Sequence, residues 1–259
     1  MALPQEEPMK IVGRSDAKLI YLGVALIIIQ CAASDGLYAQ KKDSVQQFDI
    51  KTESFLLPLP HPARKYSHQI AIYYVVPPKD WTMDIVKAPM FNYTGKYRLP
   101  KGFNIQGGIS TLIISNRLNL GPFWNYSVNN FHFGVGYQIA YNYGVLKSFG
   151  FHTVLTGWEQ QPSVTVGYSF ARTAVTFRGD LYYTTALYLS EGGYTVPSPD
   201  PFMNGYSITG SFEQRLTKNR VMSLGLKMNY FRYHIIAWPA LPVNSYRYFI
   251  PEFQVGLNF

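Results

Sequence analysis

The feature that most constrains this chain is a two-residue hydrophobic period held over long runs. In "FHFGVGYQIAYNY", Phe131, Phe133, Val135, Tyr137, Ile139, Tyr141 and Tyr143 alternate with His132, Gly134, Gly136, Gln138, Ala140 and Asn142. In "SVTVGYSFA", Val164, Val166, Tyr168 and Phe170 oppose Thr165, Gly167 and Ser169, and "FNIQGGIST" repeats the pattern. The chain closes on "RYFIPEFQVGLNF", with Phe249, Pro251, Phe253, Val255, Leu257 and Phe259 on one side and Glu252, Gln254, Gly256 and Asn258 on the other. Successive side chains of a strand point to opposite faces, so each run has one apolar and one polar face. The runs last about 10–14 residues, against about 5–6 for an ordinary strand and about 9–11 for a tilted strand that crosses a bilayer.

Composition supports the membrane reading. The chain holds 21 Tyr, 17 Phe and 4 Trp but only 15% charged residues. The aromatics fall on the apolar faces, as interfacial girdles require, and the polar faces carry Gly and small polar residues. The fold expected is a transmembrane antiparallel up-and-down β-barrel. Candidate strands lie near 66–76, 88–99, 103–115, 117–127, 131–143, 149–158, 163–171, 173–187, 205–216, 220–233 and 246–259. Single-chain bacterial barrels have even strand numbers. A further strand at 47–57 ("QFDIKTESFLL") gives twelve, and the loss of one gives ten. With the C-terminus in the periplasm, "TKN" becomes a short periplasmic turn. "SEGGYTVPSPDPFMN" and "IIAWPALPVNS" become outer loops, and "PPKDWTMDIVKA" falls on the periplasmic side.

The N-terminus reads as an export signal. Lys10, Arg14 and Lys18 precede the apolar run "LIYLGVALIIIQCAA", and "LYAQ" offers a cut at Ala39/Gln40. Met9 is the better start, because it puts the charges in front. The run is short for a spanning helix, which needs about 20 residues, and Gln30 before Cys31 argues against a lipoprotein signal. The domain division is therefore 1–39 as extension and signal peptide, 40–65 as a periplasmic segment holding the extra strand, and 66–259 as the barrel. Residues 1–39 contain the one cysteine, three of 23 basic and four of 15 acidic residues, so the mature chain keeps 20 and 11, a net of +9. Without cysteines it has no disulfide framework or cysteine metal site. Its basic residues are scattered singly, which argues against nucleic acid. No cofactor or metal site is expected.

Chemistry is sought on the polar strand faces. These carry Lys96, Arg98, Arg178, Asp180, Glu213, Arg215, Lys227 and Glu252. In a barrel of 8–12 strands such side chains fill much of the interior. The simplest reading is a structural core of cross-lumen ion pairs. The second is a narrow path for small anionic solutes, because basic groups outnumber acidic ones. A lipid-modifying enzyme needs a nucleophile and a base within hydrogen-bond reach. Ser67 and His68 are adjacent and face opposite ways. His132 and His152 lie on neighbouring candidate strands, both able to face inward. No Gly-x-Ser-x-Gly elbow or His-Glu-x-x-His occurs. The stretches "AWPALPV", "GGYTVPSPDPF" and "LLPLPHPARKY" join proline to apolar residues, as stiff loops for a protein partner do.

The alternating last strand resembles the C-terminal signal of Gram-negative outer-membrane β-barrels, in which Phe253, Val255, Leu257 and a final Phe259 are read by the barrel-assembly machinery. The "YAQ" context and the Tyr-rich strands look like outer-membrane proteins of Bacteroidota. The resemblance implies an outer-membrane location and lipid as a partner, and brings no catalytic residues. The function expected is a non-enzymatic accessory or structural subunit of an envelope assembly for secretion or uptake.

Overall fold

The computed structural model describes residues 50–62, 64–78, 88–112, 114–147, 152–192, 194–196, 200–217, 220–235 and 246–259. The strands are β1 (Tyr66–Val75), β2 (Ala88–Arg98), β3 (Phe103–Thr111), β4 (Ser115–Val128), β5 (Phe131–Leu146), β6 (Thr153–Ser169), β7 (Thr173–Glu191), β8 (Tyr194–Val196), β9 (Phe202–Thr217), β10 (Arg220–Phe231) and β11 (Tyr248–Asn258). Chain neighbours pair antiparallel around the sheet. The three-residue β8 extends only the end of β7, whose other long neighbour is β9. β1 pairs with β11, Gln69 opposite Asn258 and Val75 opposite Glu252, and this seam closes the cylinder. Ten strands, the smaller of the two expected counts, form the barrel among the described residues.

The sidedness is inverted relative to a soluble protein. Leu120, Val164 and Phe177 are 60–62% exposed, while Asn229, Glu213 and Glu252 on inward positions are 0–1% exposed. Aromatics gather at both ends of the outer wall. Tyr66–Tyr97 and Phe131–Tyr168 pair at one end, each at 4.8 Å, and Tyr141–Trp158 pair at the other. Water would penalise so continuous an apolar exterior. A bilayer demands it, and also demands a closed sheet, because hydrocarbon offers no partners to edge N–H and C=O groups. This is a membrane-spanning barrel of the outer-membrane type.

The connections are asymmetric. At one end the connections β2–β3, β4–β5, β6–β7 and β9–β10 span only two to four residues. The turn before β3 needs Gly102 (φ 81°), since a Cβ there would lie 2.5 Å from the Asn125 carbonyl oxygen. Asn129 opens the β4–β5 turn at φ 53°, a region asparagine tolerates. The opposite end carries the longer connections, including 76–87 and 232–247. In barrels of this type short turns face the periplasm and long loops the exterior.

Two expectations need correction. The stretches 149–158 and 163–171 are not separate strands. Residues 153–169 form the single strand β6, with Pro162 opposite Tyr137 of β5. Pro162 lacks an N–H, and the β6–β7 ladder skips Gln161 and Pro162 while keeping its register on either side. Residues 50–57 of the proposed first strand form no strand either; Ile50–Glu53 is a single helical turn, α1. Proline at 58, 60 and 62 removes the N–H groups a ladder would need there. Merging two strands reverses the direction of every strand upstream, so the connection holding 77–87 lies at the long-loop end, not the periplasmic one.

Candidate functional site

The barrel interior has three storeys. The lowest, at the short-turn end, is filled by the chain's own residues 50–62. Ile50, Leu57 and Leu59 are buried there against Ala174 of β7 and Val221 of β10. The wall is shaped to receive them. A Cβ on Gly167 would lie 2.4 Å from Leu57 Cδ2, and one on Gly134 would lie 2.7 Å from Pro58 Cβ.

Polar wall groups hold the segment's backbone. Glu213 on β9 accepts from the Phe55 N–H at 2.9 Å, the Leu56 N–H at 3.1 Å and the Ser54 hydroxyl, while Asn258 Nδ2 on β11 donates to the same carboxylate at 2.7 Å. Lys96 Nζ donates to the Phe55 carbonyl at 2.6 Å, Asn125 Nδ2 to that of Leu59 at 3.1 Å, and Arg98 to that of Pro62. Arg215 donates to Thr52 Oγ1 at 3.0 Å and approaches Glu53, which also pairs with Arg64. The backbone groups that leave the sheet system thus find partners on the wall, as buried peptide groups must.

The middle storey is a layer of ion pairs. Arg117 on β4 pairs with Glu159 on β6, and its Nη2 donates to Gln161 Oε1 at 3.1 Å. Gln161 Nε2 donates on to Asp180 Oδ1 at 2.9 Å, which also accepts from Arg178 Nε at 2.8 Å. Lys227 Nζ stands 3.8 Å from Glu252 Oε2. Tyr182 sits among these groups. The Arg117 and Lys227 charges each lie 5.5 Å from its ring centroid, and its hydroxyl accepts from Gln161. A cavity of about 210 Å³ occupies this storey, bounded below by Phe55, Leu56 and Pro58 and above by Tyr233, His234 and Ile235. The top storey is apolar: Leu155, Leu187 and Leu189 pack with Tyr233 and Ile235, which follow β10.

The eight charged residues singled out in the sequence all lie on this inner system. Lys96, Arg98, Glu213 and Arg215 serve the N-terminal segment; Arg178, Asp180, Lys227 and Glu252 serve the middle layer. Val255 and Leu257 stand exposed on the outer face of β11, Phe253 is half-buried on the same face, and Phe259 just beyond the strand is exposed and stacked on His68, ring centroids 6.0 Å apart. Sequence reading missed Arg117, Glu159 and the whole role of 50–62. Arg117 was legible, since it alternates with exposed Leu118 and Leu120. Glu159 falls between the segments expected at 149–158 and 163–171, so the sequence pattern assigns it no facing.

Two further readings are corrected. His132 and His152 do not meet. His132 opens β5 at the short-turn end, held between Ser127 Oγ (2.7 Å) and Ser169 Oγ (3.0 Å). His152 is exposed at the opposite end, just before β6. "LLPLPHPARKY" is not an outer loop presenting apolar residues, because Leu57 and Leu59 are buried inside the barrel. "AWPALPV" and residues 193 and 197–199 of "GGYTVPSPDPF" lie outside the described residues.

No protein-family model matches the chain, and no curated protein matches it in sequence. Among solved structures, Neisserial surface protein A (NspA) is 14% identical over 75% of this chain and 96% of its own, with a TM-score of 0.36. The KdgM porin in complex with disordered oligogalacturonate is 10% identical over 74% and 98%, at 0.41. The translocator domain of the autotransporter NalP from Neisseria meningitidis is 9% identical over 77% and 89%, at 0.35. All three are similar at a level that carries no functional argument, and the barrel assignment rests on the strand pairing itself.

Proposed function

We propose that this protein is a non-enzymatic, self-plugged outer-membrane β-barrel that serves as a structural or accessory subunit of an envelope assembly for secretion or uptake. The observation that carries this reading is the lowest storey: residues 50–62 occupy the lumen and are bonded to three strands of its wall, β2, β4 and β9. A barrel built to pass solute freely has no use for such a fitted filling. A Bacteroidota-like source, export with cleavage at Ala39/Gln40, and insertion through the C-terminal signal belong to the same proposal.

The purified full-length protein should be silent in planar bilayers, and a tagged copy extracted in gentle detergent should carry a stoichiometric envelope protein. It should release no fatty acid from labelled phospholipid. Discrete single-channel steps from the intact chain would overturn the plugged reading in favour of the second one, a narrow path for small anions. That second reading draws support from the cations of the middle storey. Under it, Lys96→Glu or Arg98→Glu should shift ion selectivity toward cations.

A further inference from the structure

The ion pairs of the middle storey are built asymmetrically. Their carboxylates are shut into the wall, with side chains 2–3% exposed for Glu159, Asp180 and Glu252, whereas their cationic partners Arg117, Arg178 and Lys227 are 15%, 27% and 21% exposed. All three cations line the 210 Å³ cavity.

The carboxylates are satisfied largely by neutral donors. Glu159 accepts from Asn142 and Asn204 Nδ2 and the Thr184 hydroxyl. Asp180 accepts from Gln161 and Ser207, and Glu252 from Asn229 Nδ2 while it meets His234 Nε2 at 3.0 Å. The cations, in contrast, keep donors in reserve. A guanidinium has five N–H groups and an ammonium three. Arg178 commits two and Arg117 three, and Lys227, at 3.8 Å from its carboxylate, has no hydrogen bond among the described residues.

A core built only for stability would spend cationic donors on its carboxylates, because leaving charge-assisted bonds unmade is costly. Here neutral wall groups supply the carboxylates, and the partly exposed cations that line one cavity keep N–H groups unspent. With Lys96 included, the lining holds four Lys/Arg and three Asp/Glu. The space is ample for a small solute, since one water needs only about 10–15 Å³. Low local dielectric strengthens each contact an anion would make there.

We infer that the chamber between the N-terminal plug and the Tyr233–Ile235 cap is a binding site for a small oxyanion, a phosphate or carboxylate, held by Arg178, Lys227 and Arg117. The site does not depend on the subunit role proposed above.

The test is calorimetric titration of the full-length protein in detergent with inorganic phosphate and, separately, with citrate, each against chloride at matched ionic strength. One saturable site should appear for phosphate, citrate or both, and the arm that saturates identifies the oxyanion class. Lys227→Gln should weaken it by roughly tenfold or more, the loss of one charge-assisted bond. Arg178→Gln covers the case in which the lysine variant does not reach the compact, heat-modifiable form on gels, and should weaken the site in the same direction. Lys101→Gln, on an exposed turn outside the chamber, should change nothing. Heats no larger than those of chloride in both arms would overturn the proposal. So would equal weakening by Lys101→Gln, or a site untouched by either chamber variant in its folded form.

Discussion

Glu213 shows at single-residue scale how the plug and the wall specify each other. One carboxylate receives the hydroxyl of Ser54 and the amides of Phe55 and Leu56, three donors on one tight bend. Removing it strands buried N–H groups, at about 1–3 kcal/mol each. Glu213→Ala should therefore leave the barrel folded but raise hydrogen exchange at the Phe55 and Leu56 amides by at least about tenfold, as amide-resolved exchange would report. Gly167→Leu should have the same effect by a different route, since its side chain claims the space of Leu57. Little of this was legible in the sequence. Glu213 was marked as an inward charge because it alternates with apolar neighbours, but its partner lies 157–159 residues away, and local periodicity carries no such information. The polar faces are rich in glycine in the sequence, and two of these glycines, Gly167 and Gly134, are the mould of Leu57 and Pro58.

Alternation was most informative at the scale of the strand, because a bilayer enforces it on every crossing. β5 runs from Phe131 to Leu146 with outward Phe, Val, Tyr and Ile and inward His, Gly, Gln and Asn, as the bare sequence indicates. A charge on its outer face is a direct check. Ile139→Arg, at about mid-strand, should destabilise the barrel by about 2–4 kcal/mol in denaturant titration from lipid vesicles. The same substitution at the strand ends should cost less. Alternation failed at β6, where Gln160, Gln161 and Pro162 look like a turn on the usual meaning of proline. A missing N–H interrupts one ladder locally, however, and flanking pairs on both sides hold the strand in line. Spin labels placed singly from 153 to 169 should show collision accessibility to oxygen alternating without a phase break across 162. A phase break, or a water-exposed run at 160–163, would restore the larger strand count.

Over the whole molecule, the closed lumen and the seam are properties of the complete chain. Deleting residues 50–62 should remove the floor of the chamber, so a variant lacking them should show ion current in planar bilayers where the intact protein shows none. A silent deletion variant would mean that the Leu155–Ile235 cap is itself a sufficient seal.

The seam has a consequence for biogenesis. Asn258, one residue from the C-terminus of the sequence, faces Gln69 across β1 and also holds the carboxylate on which the plug rests. An insertion intermediate that still waits for β11 lacks both its last staves and one support of its own stopper. Sealing the cylinder and steadying the stopper thereby share one strand, β11. A barrel lacking β11 would carry a raw edge along β1 and a stopper held less firmly at Glu213.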